Sequence, residues 1–281
     1  MNAEKTDYDL LYNPRLTVSG YEEIFDRWNR DSEHARARLD CYLDVPYGTA
    51  DTETLDLFRA KGESRGLLMY IHGGYWRSLD KKRFSFVAPA LVQSGITVAV
   101  VNYALCPAVQ VAHIVMQMVQ ASAWLYRNGG NFGAPAARLA VCGHSAGGHL
   151  AAMMLACQWP RYSPDLPKKA VAGALSISGL YDLTEIVKVP SVNGDARLTE
   201  KTALKVSPAF LPPATDAPLY TAVGSEENEG FHIQNRLIAE RWVKVHRADI
   251  PCIGKNHFTV LDDLREPESR LFRSVLDLVS Q

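Results

Sequence analysis

The chain has 281 residues, of which 47% are hydrophobic and 22% charged, a composition typical of globular proteins and unlike that of disordered chains. Its 30 basic and 31 acidic side chains leave a net charge of -1, so no overall field would attract nucleic acid or a membrane surface. We therefore expect any partner to be recognised locally, and neither nucleic acid nor a membrane surface as a partner. A homodimer is compatible with the sequence, which leaves the oligomeric state open.

The first ten residues are acidic and polar and lack the basic and apolar regions of a secretory signal. No apolar run approaches the roughly 20 residues that span a membrane. The five cysteines are scattered without C-x-x-C spacing, which favours reduced, mostly buried thiols. These features predict a cytoplasmic protein.

The N-terminal part of the chain predicts a lead-in to the main domain. Residues 21–40 form a predicted helix, with Tyr21, Phe25 and Trp28 on one face. We expect residues 1–38 to pack as a lead-in on a single domain that spans residues 1–281. The strand candidates that follow, 39–45 and 53–58, suggest an opening hairpin.

From residue 66 onward, short apolar strands alternate with helical stretches, which is typical of a mostly parallel sheet with helices on both faces. The predicted strands cover residues 66–71, 96–102, 138–142, 170–176, 219–223 and 245–248. The predicted helices cover residues 84–93, 109–127, 147–158, 231–243 and 269–278.

One long segment does not show either periodicity. Residues 183–213 carry four prolines and read as irregular chain. Long loops of this kind are often functional, so we expect a small lid over the active site here.

The strongest chemical signal is the pentapeptide Gly-His-Ser-Ala-Gly centred on Ser145. G-x-S-x-G permits a sharp strand-to-helix turn that exposes a serine hydroxyl, and Gly143 and Gly147 supply the two glycines. An apolar strand precedes the motif and an Ala/Leu/Met-rich helix follows it. The alternative is a serine that merely caps a helix. The context favours a nucleophile on an α/β-hydrolase fold.

A second motif, His72-Gly73-Gly74-Tyr75-Trp76, follows the predicted strand 66–71 directly. H-G-G loops let backbone N–H groups approach a developing oxyanion, so Gly73 and Gly74, together with the N–H of Ala146, are the predicted donors. Tyr75 and Trp76 are candidate substrate-binding residues, with packing as the alternative role for each.

The general base should follow the serine in the chain, in a loop after a late strand. His257 meets that expectation. The other candidates precede the nucleophile or lie within predicted helices and strands, namely His34, His113, His144, His149, His232 and His246.

The acid that orients the base is expected in the loop after strand 219–223, which carries three glutamates. Glu227 stands three residues past Gly224 and is the first choice. Glu226 is its nearest alternative, and Asp182 could occupy a variant acid position or cap the next segment.

Cofactor motifs are missing from the sequence. The glycine-rich loop 129–133 lacks the Lys-Ser/Thr of a P-loop, and no H-E-x-x-H cluster is present. We therefore expect neither a cofactor nor a catalytic metal.

Taken together, these motifs resemble the kynurenine formamidase (arylformamidase) branch of the serine α/β-hydrolases over nearly the whole chain. The resemblance rests on Tyr12-Asn13-Pro14-Arg15, His72-Gly73-Gly74-Tyr75-Trp76, residues 143–150, residues 178–183 and residues 231–234. It implies cofactor-free hydrolysis of N-formyl-L-kynurenine to L-kynurenine and formate, with Ser145, Glu227 and His257 at the positions of the family's triad. The family usually has aspartate at the acid position, so Glu227 is one methylene longer.

Three functions follow from these observations. Formamide hydrolysis, a step of tryptophan catabolism, is the first expectation. The same branch contains esterases, so a carboxylesterase for short acyl or aryl esters is the alternative. A non-catalytic ligand-binding protein of the same fold is the third, and reaction of Ser145 with a fluorophosphonate would exclude it.

Overall fold

In the computed structural model, which describes residues 6–135 and 138–280, eight strands form one mostly parallel sheet. The spatial order is β1-β2-β4-β3-β5-β6-β7-β8, and only β2 runs antiparallel to its neighbours. The strands are β1 (Cys41–Pro46), β2 (Thr54–Phe58), β3 (Gly66–Ile71), β4 (Ile96–Val101), β5 (Leu139–His144), β6 (Gly173–Ile177), β7 (Leu219–Gly224) and β8 (His246–Cys252).

Helices cover both faces of this sheet. The α-helices are α1 (Tyr8–Tyr12), α2 (Pro14–Thr17), α3 (Tyr21–Arg38), α4 (Ala88–Gln93), α5 (Val111–Asn128), α6 (Ala146–Ala156), α7 (Trp159–Tyr162), α8 (Thr184–Val187), α9 (Pro190–Ala196), α10 (Glu200–Lys205), α11 (Glu229–Arg241) and α12 (Arg270–Val279). The predicted α/β-hydrolase architecture is confirmed. No helix in the described part of the chain is long and apolar enough to cross a membrane.

Alternating side chains of β3 divide the core into two layers. Leu67 and Met69 belong to a cluster with α5, α6 and α11, whereas Leu68 and Tyr70 belong to a cluster with α3, α4 and α12. Because successive residues of a strand point to opposite faces, each cluster fills one side of the sheet. The residues of β3, β4, β5 and β6 are all buried, as expected for strands covered on both faces.

Residues 183–213 are more regular than the sequence suggested. They fold into α8, α9 and α10 and a short 3-10 turn. Pro190 begins α9, a position where its missing N–H leaves no bond unmade. Thr199 and Thr202 cap α10 through reciprocal side-chain bonds. Pro190 and Pro208 therefore each start a short helical turn, and the expectation of an irregular segment was wrong.

The last strand is longer than predicted. β8 continues to Cys252 through Pro251, which pairs with Val223. Proline is tolerated here because β8 lies at the edge of the sheet, where one side of the strand needs no hydrogen-bonding partner. All five cysteines lie in the described part of the chain and are unpaired, and three of them are buried.

Candidate active site

Ser145 lies on a strained turn between β5 and α6. Its φ is 57° and its ψ is -120°, a backbone conformation that a residue with a side chain adopts only where the surroundings impose it. A Cβ on Gly143 would lie 2.0 Å from the carbonyl oxygen of Gly147, and a Cβ on Gly147 would lie 2.0 Å from that of Ile71. Both glycines are therefore required for this turn, which aims Ser145 away from the sheet.

The Gly73-Gly74 loop passes beside this serine because β3 and β5 are adjacent, with Ile71 opposite Gly143. A Cβ on Gly73 would lie 3.2 Å from the Cβ of Ser145. Within residues 6–135 and 138–280, the N–H groups of Gly73 and Gly74 donate to no other protein group. Ala146 is the first residue of α6, so its N–H has no partner inside the helix. Among the residues that the structure describes, these three N–H groups near Ser145 have no hydrogen-bond acceptor.

Two buried side chains fix the orientation of the glycine loop. The Tyr103 hydroxyl donates to the carbonyl of His72 at 2.8 Å and approaches that of Gly73 at 3.4 Å. The Nδ1 of His72 lies 2.8 Å from the carbonyl of Gly73 and its ring stacks on Tyr103. In a trans peptide the N–H points opposite to the C=O. Because the carbonyls of His72 and Gly73 are bound in this way, the N–H groups of Gly73 and Gly74 point away from Tyr103.

The structure brings Glu227 and His257 together in the interior. The Nδ1 of His257 lies 2.6 Å from Oε2 of Glu227, and both side chains are almost fully buried. The other carboxylate oxygen accepts from Gly224 N at 2.7 Å and from Ser178 Oγ at 2.6 Å. Three hydrogen bonds thus hold the carboxylate in place and set the ring orientation, which leaves Nε2 of His257 for a second partner.

The two alternative acids are elsewhere. Glu226 is exposed to solvent, one residue before Glu227. Asp182 is engaged locally, because its Oδ1 accepts from the backbone N–H of Thr184 at 2.9 Å and from the hydroxyl of Thr184 at 2.6 Å. Neither carboxylate makes a hydrogen bond with His257 in the described part of the chain.

Two neighbours support the His257 loop. The Nε2 of His144 lies 2.7 Å from the carbonyl of His257, and burial holds the pKa of His144 well below its usual value. A neutral ring must carry its proton on Nε2 to donate to that carbonyl. The ring of Phe231 packs at 4.2 Å, centroid to centroid, from the imidazole of His257. The catalytic candidate is therefore held through both its backbone and its ring.

A pocket with about 530 Å³ of empty space, including open solvent at its mouth, ends at Ser145 and His257. Five aromatic side chains contribute to its lining, namely Phe25, Trp28, Tyr75, Phe84 and Phe258. Such walls suit a flat apolar group next to the reacting atom. No cluster of three or more His, Cys, Asp or Glu side chains suited to a metal occurs among residues 6–135 and 138–280.

Tyr75 and Trp76 have different positions. Tyr75 lines the pocket, and its hydroxyl donates to the carbonyl of Tyr12. Trp76 is fully buried behind the loop, and its Nε1 donates to Nδ1 of His149 at 3.2 Å. Trp76 therefore packs the Gly73-Gly74 loop against α6 and is placed away from the pocket wall.

Several residues that line the pocket carry no functional motif in the sequence. Asn13, Pro14, Phe25 and Trp28 belong to the N-terminal segment, which we expected only to pack on the domain. The aromatic face of α3 was visible in the sequence, but nothing there showed that it reaches the serine. Ser178 likewise gave no local sign of its bond to a carboxylate 49 residues later.

The segment 183–213 borders the same pocket. Val192 of α9 contributes to the lining. Asp195 of the same helix accepts a hydrogen bond from Arg77 at 2.6 Å, which connects the segment to the chain just after the Gly73-Gly74 loop. These contacts are compatible with a lid.

Comparison with known proteins agrees with this architecture. The family model described as the alpha/beta hydrolase fold matches residues 68–234. The kynurenine formamidase of Salmo salar is 30% identical over 89% of this chain and 86% of its own length. Esterase LipQ of Mycobacterium tuberculosis is 32% identical over 50% of this chain and 36% of its own length.

Among solved structures, a Silicibacter sp. TM1040 protein assigned as a thioesterase superimposes with a TM-score of 0.86 at 30% identity. The match covers 97% of this chain and 100% of that protein. These relatives are hydrolases by name, and the formamidase match extends over most of both chains. The chain belongs to the kynurenine formamidase-like group of α/β-hydrolases.

Proposed function

We propose that the protein is an arylformamidase that cleaves N-formyl-L-kynurenine to L-kynurenine and formate. The observation that carries the proposal is the aromatic pocket that ends at Ser145, beside the bonded pair His257 and Glu227. A formanilide presents a flat aryl group next to a small formyl carbon, which matches an aromatic wall close to the nucleophile. The similarity to the Salmo salar kynurenine formamidase supports the same substrate class.

In this mechanism Ser145 Oγ attacks the formyl carbon while Nε2 of His257 takes its proton. Glu227 accepts the hydrogen bond from Nδ1 and stabilises the imidazolium that forms. The N–H groups of Gly73, Gly74 and Ala146 receive the oxyanion, and removal of one such donor typically reduces kcat by about 10²-fold to 10³-fold.

The tetrahedral intermediate then collapses, and His257 delivers its proton to the departing aniline nitrogen. The formyl group stays on Ser145 as an ester. Water next attacks the formyl carbon, with His257 as base, and formate leaves as Ser145 regains its proton. The residues present supply every proton transfer, so the proposed reaction requires no cofactor.

A carboxylesterase is the second candidate, and the similarity to Esterase LipQ favours it. The same triad would cleave esters, whose leaving groups are better. Comparison of kcat/KM for N-formyl-L-kynurenine and for phenyl acetate, with Ser145→Ala as the blank, distinguishes the two functions. Preference for the formamide supports the arylformamidase, whereas ester turnover without formamide turnover would contradict it.

A further inference from the structure

Arg15 lies at the pocket that contains Ser145, and its positive charge has no acidic partner among residues 6–135 and 138–280. Its side chain is exposed, and no carboxylate of the described residues lies within ion-pair distance of it. Arg77, the other arginine of the lining, is already paired with Asp195. The charge of Arg15 is therefore available to a ligand in the pocket.

Aromatic rings hold this guanidinium in place. The Cζ of Arg15 lies 5.7 Å from the ring centroid of Phe25 and 5.8 Å from that of Tyr21. Phe25 itself lines the pocket. A guanidinium over a ring face keeps the N–H donors at its edge free for a bidentate acceptor such as a carboxylate.

A second guanidinium strengthens the local positive potential. The Cζ of Arg83 lies 5.2 Å from the same Phe25 ring, and Arg83 also has no ion-pair partner among residues 6–135 and 138–280. Burial and then the charge of Arg15 lower the pKa of Arg83, and Asp26 opposes them to a smaller extent. Two like charges at one ring repel each other, and a bound anion would relieve that repulsion.

We propose that Arg15 binds a carboxylate of the substrate, with Arg83 at the same Phe25 ring adding positive charge, so that the site selects aromatic substrates carrying an anionic group. The inference rests on the proposed function and deepens it. The amino-acid carboxylate of N-formyl-L-kynurenine lies on the side chain ortho to its formamide. Binding it at Arg15 would leave the formanilide for the aromatic part of the pocket.

The test compares N-formyl-L-kynurenine with 2′-formamidoacetophenone, which keeps the aryl ketone and the formamide but has no carboxylate. Arg15→Gln should lower kcat/KM for N-formyl-L-kynurenine by about 10-fold to 100-fold, mainly through KM, because a charge-assisted hydrogen bond is lost. The neutral substrate should change by less than about twofold, since it makes no such bond. Arg15→Lys, which keeps the charge but cannot bind a carboxylate in two places, should lie between.

Arg30→Gln is the matched control, because Arg30 is an exposed arginine of α3 that does not line this pocket. It removes the same charge and should leave both substrates unaffected. Equal losses on both substrates, or no loss on either, with Arg15→Gln would overturn the proposal. Arg83→Gln should weaken only the carboxylate substrate, and less than Arg15→Gln does.

A parallel ester series separates this inference from the proposed function. 3-(2-Acetoxyphenyl)propanoate carries a carboxylate, and 2-ethylphenyl acetate is its neutral counterpart. Ester turnover without formamide turnover would refute the arylformamidase, while selective loss of the anionic ester in Arg15→Gln would still support the anion site. Equal effects of Arg15→Gln on both esters would refute the anion site.

Discussion

The hydroxyl of Tyr103 donates a 2.8 Å hydrogen bond to the carbonyl of His72, and so fixes the peptide that carries the N–H of Gly73. Tyr103 is 1% exposed and lies two residues beyond β4. The bond connects the Gly73-Gly74 loop after β3 with the loop after the neighbouring strand β4. A residue outside the pocket lining thus fixes the direction of the Gly73 N–H, the proposed oxyanion donor.

Tyr103→Phe should lower kcat roughly 10-fold and leave KM nearly unchanged, because the donors act on the transition state more than on bound substrate. Tyr70→Phe is the control. Tyr70 is equally buried and lies in β3, but its hydroxyl has no partner among the described residues. Steady-state kinetics of both variants measure the effect of the Tyr103 hydroxyl on kcat. An equal loss of kcat in the two variants would show that Tyr103 acts only through packing.

Glu227→Gln should reduce kcat by roughly 10³-fold to 10⁴-fold, because an amide cannot stabilise the imidazolium and favours the wrong ring tautomer. Glu226→Gln alters the adjacent, exposed glutamate and should leave kcat unchanged. Circular dichroism of both variants controls for folding. If Glu226→Gln were the damaging change, the acid assignment would be wrong.

Ser178→Ala removes one of the hydrogen bonds to the Glu227 carboxylate and leaves the bond from Gly224. We expect kcat to fall about 5-fold to 10-fold with KM unchanged, since a hydrogen bond to a charged group contributes about 1.5–3 kcal/mol and part of it orients His257. Glu226→Gln, an exposed change in the same loop, is the control for the assay. Wild-type kcat in Ser178→Ala would show that Gly224 alone holds the carboxylate.

Buried histidines should make stability depend on pH. Burial lowers the pKa of His149 from 6.5 to about 4 and also lowers those of His72 and His144. Below pH 6.5 the unfolded chain therefore binds more protons than the folded protein. The contribution of these histidines to the free energy of unfolding is fully present above that pH and decreases as the pH falls towards their pKa in the folded protein. His149 alone would contribute a loss of about 3 kcal/mol across that interval.

Urea denaturation at pH 7.5, 6.5 and 5.5 measures this dependence. The free energy of unfolding should decrease ever more steeply with pH below pH 6.5. In His149→Gln the slope of the free energy of unfolding against pH should be smaller by the contribution of about one proton. His34→Gln changes an exposed histidine and should not alter the slope. A free energy of unfolding that is constant from pH 7.5 to 5.5 would contradict the buried neutral histidines.

The sequence predicted those parts of the fold that depend on local pattern. β3 begins and ends where its apolar run does, and the glycines around Ser145 identify a turn whose close contacts exclude any Cβ. The helices of residues 183–213 were not predicted, because they are too short to show the apolar periodicity of longer helices and are marked only by their caps and prolines.

The candidate site was predictable only in part for the same reason. Short motifs identify Gly73, Gly74 and Ser145 in the sequence. Ser178, Tyr103 and Phe25 instead reach the site through contacts between segments that are distant in the sequence. A single sequence does not encode such pairings in any local pattern. The structure distinguishes Glu227 from Glu226 because Glu227 is buried and Glu226 is exposed. Two glutamates in one loop cannot be distinguished by side-chain type.

The most direct test of the account is the turnover of N-formyl-L-kynurenine by the wild type and by Ser145→Ala, followed by appearance of L-kynurenine and formate. We predict measurable formamide cleavage by the wild type and a kcat about 10⁶-fold lower in the variant, because the triad acts as a unit. A loss of less than about tenfold in Ser145→Ala would contradict the nucleophile assignment and the mechanism built on it.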